Sequence, residues 1–171
     1  IYGGLDHIKA ENGTTTFSTT GNNSDLLVGG FSASESAEMG DIVFSASRDL
    51  LFQGGDSDLS GGTIILKAGR DIKFSKNLSA TTVVAEAKTA YLEEAGISAA
   101  SLSFHGDLAI TLPDYGDSDT PADVDLSTTD NAHPYVDLRG TLTVDAPKSA
   151  VRIQARNASG SSSDITLGDV D

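Results

Sequence analysis

Hydrophobic and polar residues alternate along two neighbouring stretches of the chain, and the second stretch repeats the first. Residues 40–52 read Gly-Asp-Ile-Val-Phe-Ser-Ala-Ser-Arg-Asp-Leu-Leu-Phe, and residues 62–74 read Gly-Thr-Ile-Ile-Leu-Lys-Ala-Gly-Arg-Asp-Ile-Lys-Phe. The two stretches begin 22 residues apart. An apolar residue at every second position is typical of a strand with one buried face. We therefore predict a repeating unit of strand, corner and strand, in which Ile72 and Phe74 point inward and Lys73 points outward.

The alternation continues more weakly on both sides of this repeat. Its predicted inward positions are Ile8, Phe17, Leu26, Val28, Val83, Ala85, Ala87, Ala90, Leu92, Leu102, Phe104, Leu108, Ile110, Leu112, Val136, Leu138, Leu142, Val144, Val151, Ile153, Ile165 and Leu167. Repeats of roughly 20 residues that each contain strands and turns indicate a solenoid. The pattern predicts an all-β fold, a parallel β-helix with coils of roughly 19–22 residues stacked ~4.8 Å apart.

Two stretches depart from the simple pattern. Residues 85–94 have helix propensity, but they continue a run that opens as a strand, so we favour a coil there. Residues 113–134 break the period and contain or border three of the four prolines. We interpret 113–134 as a projecting acidic loop insertion, which solenoids tolerate at their corners. The whole chain, 1–171, is then a single β-helix segment, and we expect it to be a fragment of a longer chain.

Charge narrows the possible partners. The net charge is −14 and the isoelectric point is near 4.3. Nucleic acid is disfavoured because phosphate binding requires clustered Lys and Arg. No apolar run is long enough to span a bilayer, so membrane insertion is not expected. The chain contains no cysteine, which excludes disulfides and thiolate metal sites.

The acidic stretch contains the candidate metal ligands. Ca²⁺ binds several carboxylate and carbonyl oxygens, which these side chains could supply. The candidates are Asp114, Asp117, Asp119, Asp123 and Asp125. Their spacing matches neither an EF-hand nor a calcium-binding nonapeptide, so a solvated acidic loop without metal is the alternative. We predict no other cofactor.

Catalytic residues are not expected. His7, His105 and His133 are scattered along the chain, and Asp56 and Asp58 lie on a turn with no neighbouring base. The Arg-Asp pairs at 48–49 and 70–71 are interpreted as a corner ladder in which unlike charges offset each other between coils. A binding edge is the alternative interpretation of these pairs.

The units Gly-Asp-Ile-x-Phe-Ser-Ala-Ser-Arg-Asp-Leu and Leu-Lys-Ala-Gly-Arg-Asp-Ile resemble the repeats of filamentous-haemagglutinin-like exoproteins, the large passengers of two-partner secretion. The resemblance is strongest over residues 40–74, and the Asn-Pro-Asn-Leu signature of the secretion domain is absent. It implies a right-handed parallel β-helix that is secreted to the bacterial cell surface. The expected function is a structural or adhesive shaft, a monomeric segment of a long fibre that contacts host cells, matrix or polysaccharide. The alternative is a carbohydrate-active β-helix enzyme, a polysaccharide lyase or a glycoside hydrolase.

Overall fold

The computed structural model describes residues 13–32, 41–93, 95–111, 124–128, 135–145, 151–154 and 164–166. All the regular structure in these residues is β-strand, and none of it is helix. The strands are β1 (Thr15–Ser18), β2 (Leu26–Val28), β3 (Phe31–Ser32), β4 (Ile42–Ala46), β5 (Leu50–Phe52), β6 (Ser57–Ala68), β7 (Asp71–Phe74), β8 (Leu78–Glu93), β9 (Ile97–Thr111), β10 (Val124–Thr128), β11 (Tyr135–Leu138), β12 (Leu142–Asp145), β13 (Val151–Gln154) and β14 (Asp164–Thr166).

The strands pair in parallel on three faces, because each coil lays its strands on those of the coil before it. On face 1 the inward register runs Phe17, Phe44, Leu66, Ala85, Phe104, Leu138. On face 2 it runs Val28, Phe52, Phe74, Leu92, Ile110, Val144. On face 3 the aligned positions are Phe31, Ser57, Leu78, Ile97, Leu126 and Ile153. The long strands β6, β8 and β9 bend from one face to the next.

The coil length agrees with the predicted period. Ile42 pairs with Ile64, 22 residues later, and Ile64 pairs with Val83, 19 residues later. Val83 in turn pairs with Leu102, again after 19 residues. Residues 41–111, of which only residue 94 falls outside the described chain, thus form about three full turns. The predicted parallel β-helix is confirmed.

The core is a column of side chains from the inward positions. Ile72 and Phe74 are both fully buried, whereas Lys73 between them is partly exposed. Aromatic rings stack from coil to coil, with centroids 5.3 Å apart for Phe17 and Phe44 and also for Phe52 and Phe74. Offset ring pairs at this separation are favourable beyond the area they bury. The inward and outward assignment made from the sequence is therefore correct in this repeat.

Residues 85–94 needed a choice between helix and coil, and the structure supports the coil. Strand β8 runs through Glu93, and Ala90 and Leu92 align with Ile72 and Phe74 of the preceding coil. Helix propensity is overridden here because a helix could not present its backbone groups to the coils on either side.

The predicted insertion is only partly described, and one part of it is a strand. Val124–Thr128 pairs with β9 on one side and with β13 on the other. These five residues therefore belong to face 3 of the solenoid and not to a projecting loop. Alternation of Val124 and Leu126 with polar residues, together with the need to pair backbone groups, explains the strand. Residues 113–123 and 129–134 lie outside the described residues, and their projection stays a prediction.

Tight corners require glycine where one coil lies against the next. Gly106 has a φ of +136°, and a Cβ built on it would lie 1.9 Å from the carbonyl oxygen of Ala87 in the preceding coil. Such a contact cannot be relieved by a side-chain rotation, because the obstructing atom is backbone. The corner between face 1 and face 2 is thus closed too tightly for any other residue at this position.

Candidate functional site

The most strongly charged feature of the described chain is the corner between face 1 and face 2. It brings together Arg48 and Arg70 with three aspartates, Asp25, Asp49 and Asp71. Nε of Arg48 lies 2.6 Å from Oδ1 of Asp25, and its Nη2 donates to Oδ2 of the same carboxylate. We call this set of five residues the arginine ladder.

Each arginine reaches back to the aspartate of the preceding coil. Nε of Arg70 lies 2.8 Å from Oδ1 of Asp49, and Nη2 of Arg70 donates to Oδ2. A planar guanidinium that meets a carboxylate at two points forms the strongest common kind of side-chain hydrogen bonding. The contacts to the sequence neighbours are longer, 3.7 Å from Arg48 to Asp49 and 3.3 Å from Arg70 to Asp71. The ladder joins coils, and this supports the structural interpretation over a binding edge.

The ladder also changes the ionisation of its members. The hydrogen bonds from the Arg48 side chain lower the pKa of Asp25, against a smaller opposing effect of burial. The hydrogen bond to Asp25 raises the pKa of Arg48, and the bond to Asp49 raises the pKa of Arg70. These groups are thus held in their charged forms, which suits a structural contact and not a proton-transfer step.

The aspartates of this corner have a second role, since they also bind backbone. Oδ1 of Asp25 accepts a hydrogen bond from the amide of Asp49 at 3.3 Å, and Oδ1 of Asp107 accepts one from the amide of Thr141 at 3.0 Å. In both cases the amide belongs to the following coil. The ladder has no third arginine in the described chain, because Lys88 occupies the next position and Gly106 the one after it.

A second corner, between face 2 and face 3, holds a ladder that the sequence analysis missed. Oδ1 of Asp56 accepts a hydrogen bond from the amide of Asn77 at 2.9 Å, and Oδ1 of Asn77 accepts one from the amide of Gly96 at 2.8 Å. Asp56 and Asn77 lie 21 residues apart, one coil period, and that spacing was the available signal. Asp56 is therefore engaged in holding the turn.

This second corner borders a groove of about 410 Å³ on face 3. We call it the face 3 groove. Its polar side chains outside the core are Asp56, Asp58, Asn77, Ser79 and Ser98. Asp58, Ser79 and Ser98 are aligned across three consecutive coils. The lining includes no basic side chain and no aromatic side chain among the described residues.

The outer surface of the other two faces also carries charge pairs. On face 2, Nζ of Lys73 lies 5.4 Å from the centroid of the Tyr91 ring in the next coil. On face 1, Nζ of Lys67 lies 3.1 Å from Oε2 of Glu86. All four side chains are at least partly exposed, so each pair contributes little to stability.

Of the three histidines, only His105 lies in the described chain. Its Nε2 lies 2.9 Å from Oγ of Ser103, a residue that is 5% exposed. A nucleophile must be accessible to substrate, and this hydroxyl is enclosed between coils. We therefore assign the contact a structural role on face 1.

The predicted metal ligands fall mostly outside the described residues. Asp114, Asp117, Asp119 and Asp123 lie there, while Asp125 lies in β10, where it aligns with Arg152 of β13. Within the described ranges, no group of three or more His, Asp or Glu side chains is arranged to hold a metal ion. The calcium hypothesis stays a prediction about residues 113–134.

The described residues include no helix that is both long and apolar enough to cross a membrane. Comparisons with known proteins bring no further identification. No family model matches this chain, and neither a curated protein nor a solved structure matches it.

Proposed function

We propose that this chain is a segment of the structural or adhesive shaft of a secreted or cell-surface bacterial exoprotein. In this proposal the coils form a stiff support, and their outer faces contact host cells, matrix or polysaccharide. The resemblance of residues 40–74 to filamentous-haemagglutinin-like repeats motivates the surface location.

One observation carries the proposal. The charged groups that could have formed a reactive centre, the arginine ladder, instead connect one coil to the next. Coil-to-coil contacts of this kind repeat along the axis, which is what a shaft requires, because each coil of a solenoid is stabilised only by its neighbours.

The second candidate, a carbohydrate-active enzyme, is favoured by the face 3 groove with Asp56 and Asp58 in its lining. Glycoside hydrolysis requires two carboxyl groups on opposite sides of the scissile bond. Asp56 and Asp58 lie on the same edge of one coil, and Asp56 accepts a hydrogen bond from the amide of Asn77. The geometry thus supports a binding surface better than a pair of catalytic carboxylates.

A test uses the purified chain in two measurements. The first is retention of protein-coated beads on cultured cells, matrix-protein films and polysaccharide films, compared with a Phe74→Asp variant whose core is disrupted. We expect retention that depends on the folded state. The second is release of reducing ends or unsaturated sugars from the same polysaccharides. Turnover that disappears in Asp58→Asn would favour the enzyme, and equal retention of both kinds of beads would contradict an adhesive surface.

A further inference from the structure

We propose that the face 3 groove binds an extended chain of amino sugars that carry free ammonium groups. The inference rests on the proposed function, since it names a ligand class for one face of the shaft. It begins from polar groups that the fold leaves unused. Asp58, Ser79 and Ser98 form no hydrogen bond or ion pair within the described chain.

Charge determines the sign of the ligand. The groove is lined by the two carboxylates of Asp56 and Asp58, and its described lining contains no Lys, Arg or His. Oδ1 of Asp56 is occupied by the Asn77 amide, but its second oxygen has no partner in the described chain. An anionic ligand would be repelled, whereas an ammonium group between these carboxylates would form charge-assisted hydrogen bonds.

Spacing and chemistry favour a sugar chain over a single small cation. The aligned Asp58, Ser79 and Ser98 repeat at the coil spacing, about 4.8 Å. A pyranose unit of an extended chain has a similar length, so consecutive sugars can meet consecutive coils. The two serine hydroxyls and the amide of Asn77 can donate to and accept from sugar hydroxyls. The volume of about 410 Å³ lies within the range of small-ligand sites.

Isothermal titration calorimetry with a glucosamine hexamer tests the proposal, and the fully N-acetylated hexamer serves as the uncharged comparison. We expect the free-amine hexamer to bind, the acetylated hexamer to bind far more weakly, and added salt to weaken binding. Asp58→Asn should weaken binding about threefold to tenfold, since it removes one charge-assisted contact. Glu93→Gln is the matched control, because it removes the same charge from an exposed position on face 2 and should leave the affinity unchanged.

A second variant separates shape from charge. Ser98→Leu fills the groove without altering the net charge and should also abolish binding, while circular dichroism confirms that the coils remain folded. An equal loss in Glu93→Gln and Asp58→Asn would overturn the proposal, because it would reveal unspecific attraction to an acidic protein. So would a lysine hexamer that binds as tightly as the sugar and is equally sensitive to Asp58→Asn, since the groove would then be a site for basic peptides. Failure of the hexamer leaves bead retention on other surfaces intact, so the two proposals fail separately.

Discussion

Arg70 binds Asp49, a residue 21 positions earlier, more closely than it binds its own neighbour Asp71. The distance from Nε of Arg70 to Oδ1 of Asp49 is 2.8 Å, and the distance from the same nitrogen to Oδ2 of Asp71 is 3.3 Å. Asp49 is 6% exposed, so its carboxylate depends on the guanidinium for charge compensation. The relation between Arg48 and Asp25 is the same, one coil earlier. The ladder is therefore a contact between coils.

The ladder stops at Lys88, and this leads to a first prediction. The amide of Lys88 donates to the carbonyl of Arg70 at 2.8 Å, which places Lys88 at the next position along the corner. Lys88→Arg should add a two-point contact to Asp71 and raise the urea concentration at the unfolding midpoint, because a guanidinium matches a carboxylate as an ammonium cannot. The gain should vanish in the double variant with Asp71→Asn. An unchanged midpoint in Lys88→Arg would show that this corner cannot accommodate a third arginine.

The second prediction concerns acid. The hydrogen bonds from Arg48 lower the pKa of Asp25 in the folded state below its ordinary value near 3.8. A folded-state pKa below the unfolded one contributes stability that is fully present above the unfolded pKa and is lost as the pH falls through the folded pKa. Urea midpoints should thus be equal at pH 5 and pH 7 as far as Asp25 is concerned, and they should fall below about pH 4. Asp25→Asn should flatten part of this fall, and an identical pH profile for the variant would contradict the assignment.

The third prediction tests the register of the repeat. Phe74 is fully buried and stacked on Phe52, so Phe74→Ala should cost about 3–5 kcal/mol of unfolding free energy. Lys73 is outward and contacts only the Tyr91 ring in the described chain, so Lys73→Ala should cost about 1 kcal/mol or less. Chemical denaturation of both variants measures the difference. Similar losses at the two positions would show that the inward and outward sides are misassigned.

A buried hydroxyl motivates the fourth prediction. Oγ of Ser57 is buried and has no hydrogen-bond partner, although the aligned positions Leu78 and Ile97 are apolar core. An unsatisfied polar group costs about 1–3 kcal/mol, so Ser57→Ala should leave stability unchanged or increase it by up to about 1 kcal/mol. Ser103→Ala is the matched control, because it removes the contact with His105 and should destabilise. A clear loss in Ser57→Ala would reveal a partner for this hydroxyl, such as a bound water.

The fifth prediction concerns calcium and the acidic stretch 113–134. Millimolar Ca²⁺ should protect the chain from proteolysis near Tyr115, since weak extracellular calcium sites operate in that concentration range. The double substitution Asp117→Asn and Asp119→Asn should abolish the protection. Calorimetry without any heat of binding, together with equal cleavage with and without the ion, would reduce the stretch to solvated surface. The β-helix itself would be unaffected by that result.

The sequence by itself determined the strands and the side on which each residue lies. Alternation with period two marks one buried face, and its recurrence after 22 residues in the 40–52 and 62–74 stretches requires the two copies to stack. Burial of Ile72 and Phe74 around an outward Lys73 followed from that pattern alone, because side chains on a strand alternate between its two sides.

The tertiary structure decided which groups meet between coils. Arg48 and Asp49 are adjacent in sequence, yet Arg48 binds Asp25 more closely, since stacked coils set the reach of a side chain. The strand at residues 124–128 and the groove formed along Asp58, Ser79 and Ser98 were likewise not visible in the sequence. Each depends on which backbone edges and side chains neighbouring coils bring together, and a local periodicity contains no information on contacts between residues a full coil apart.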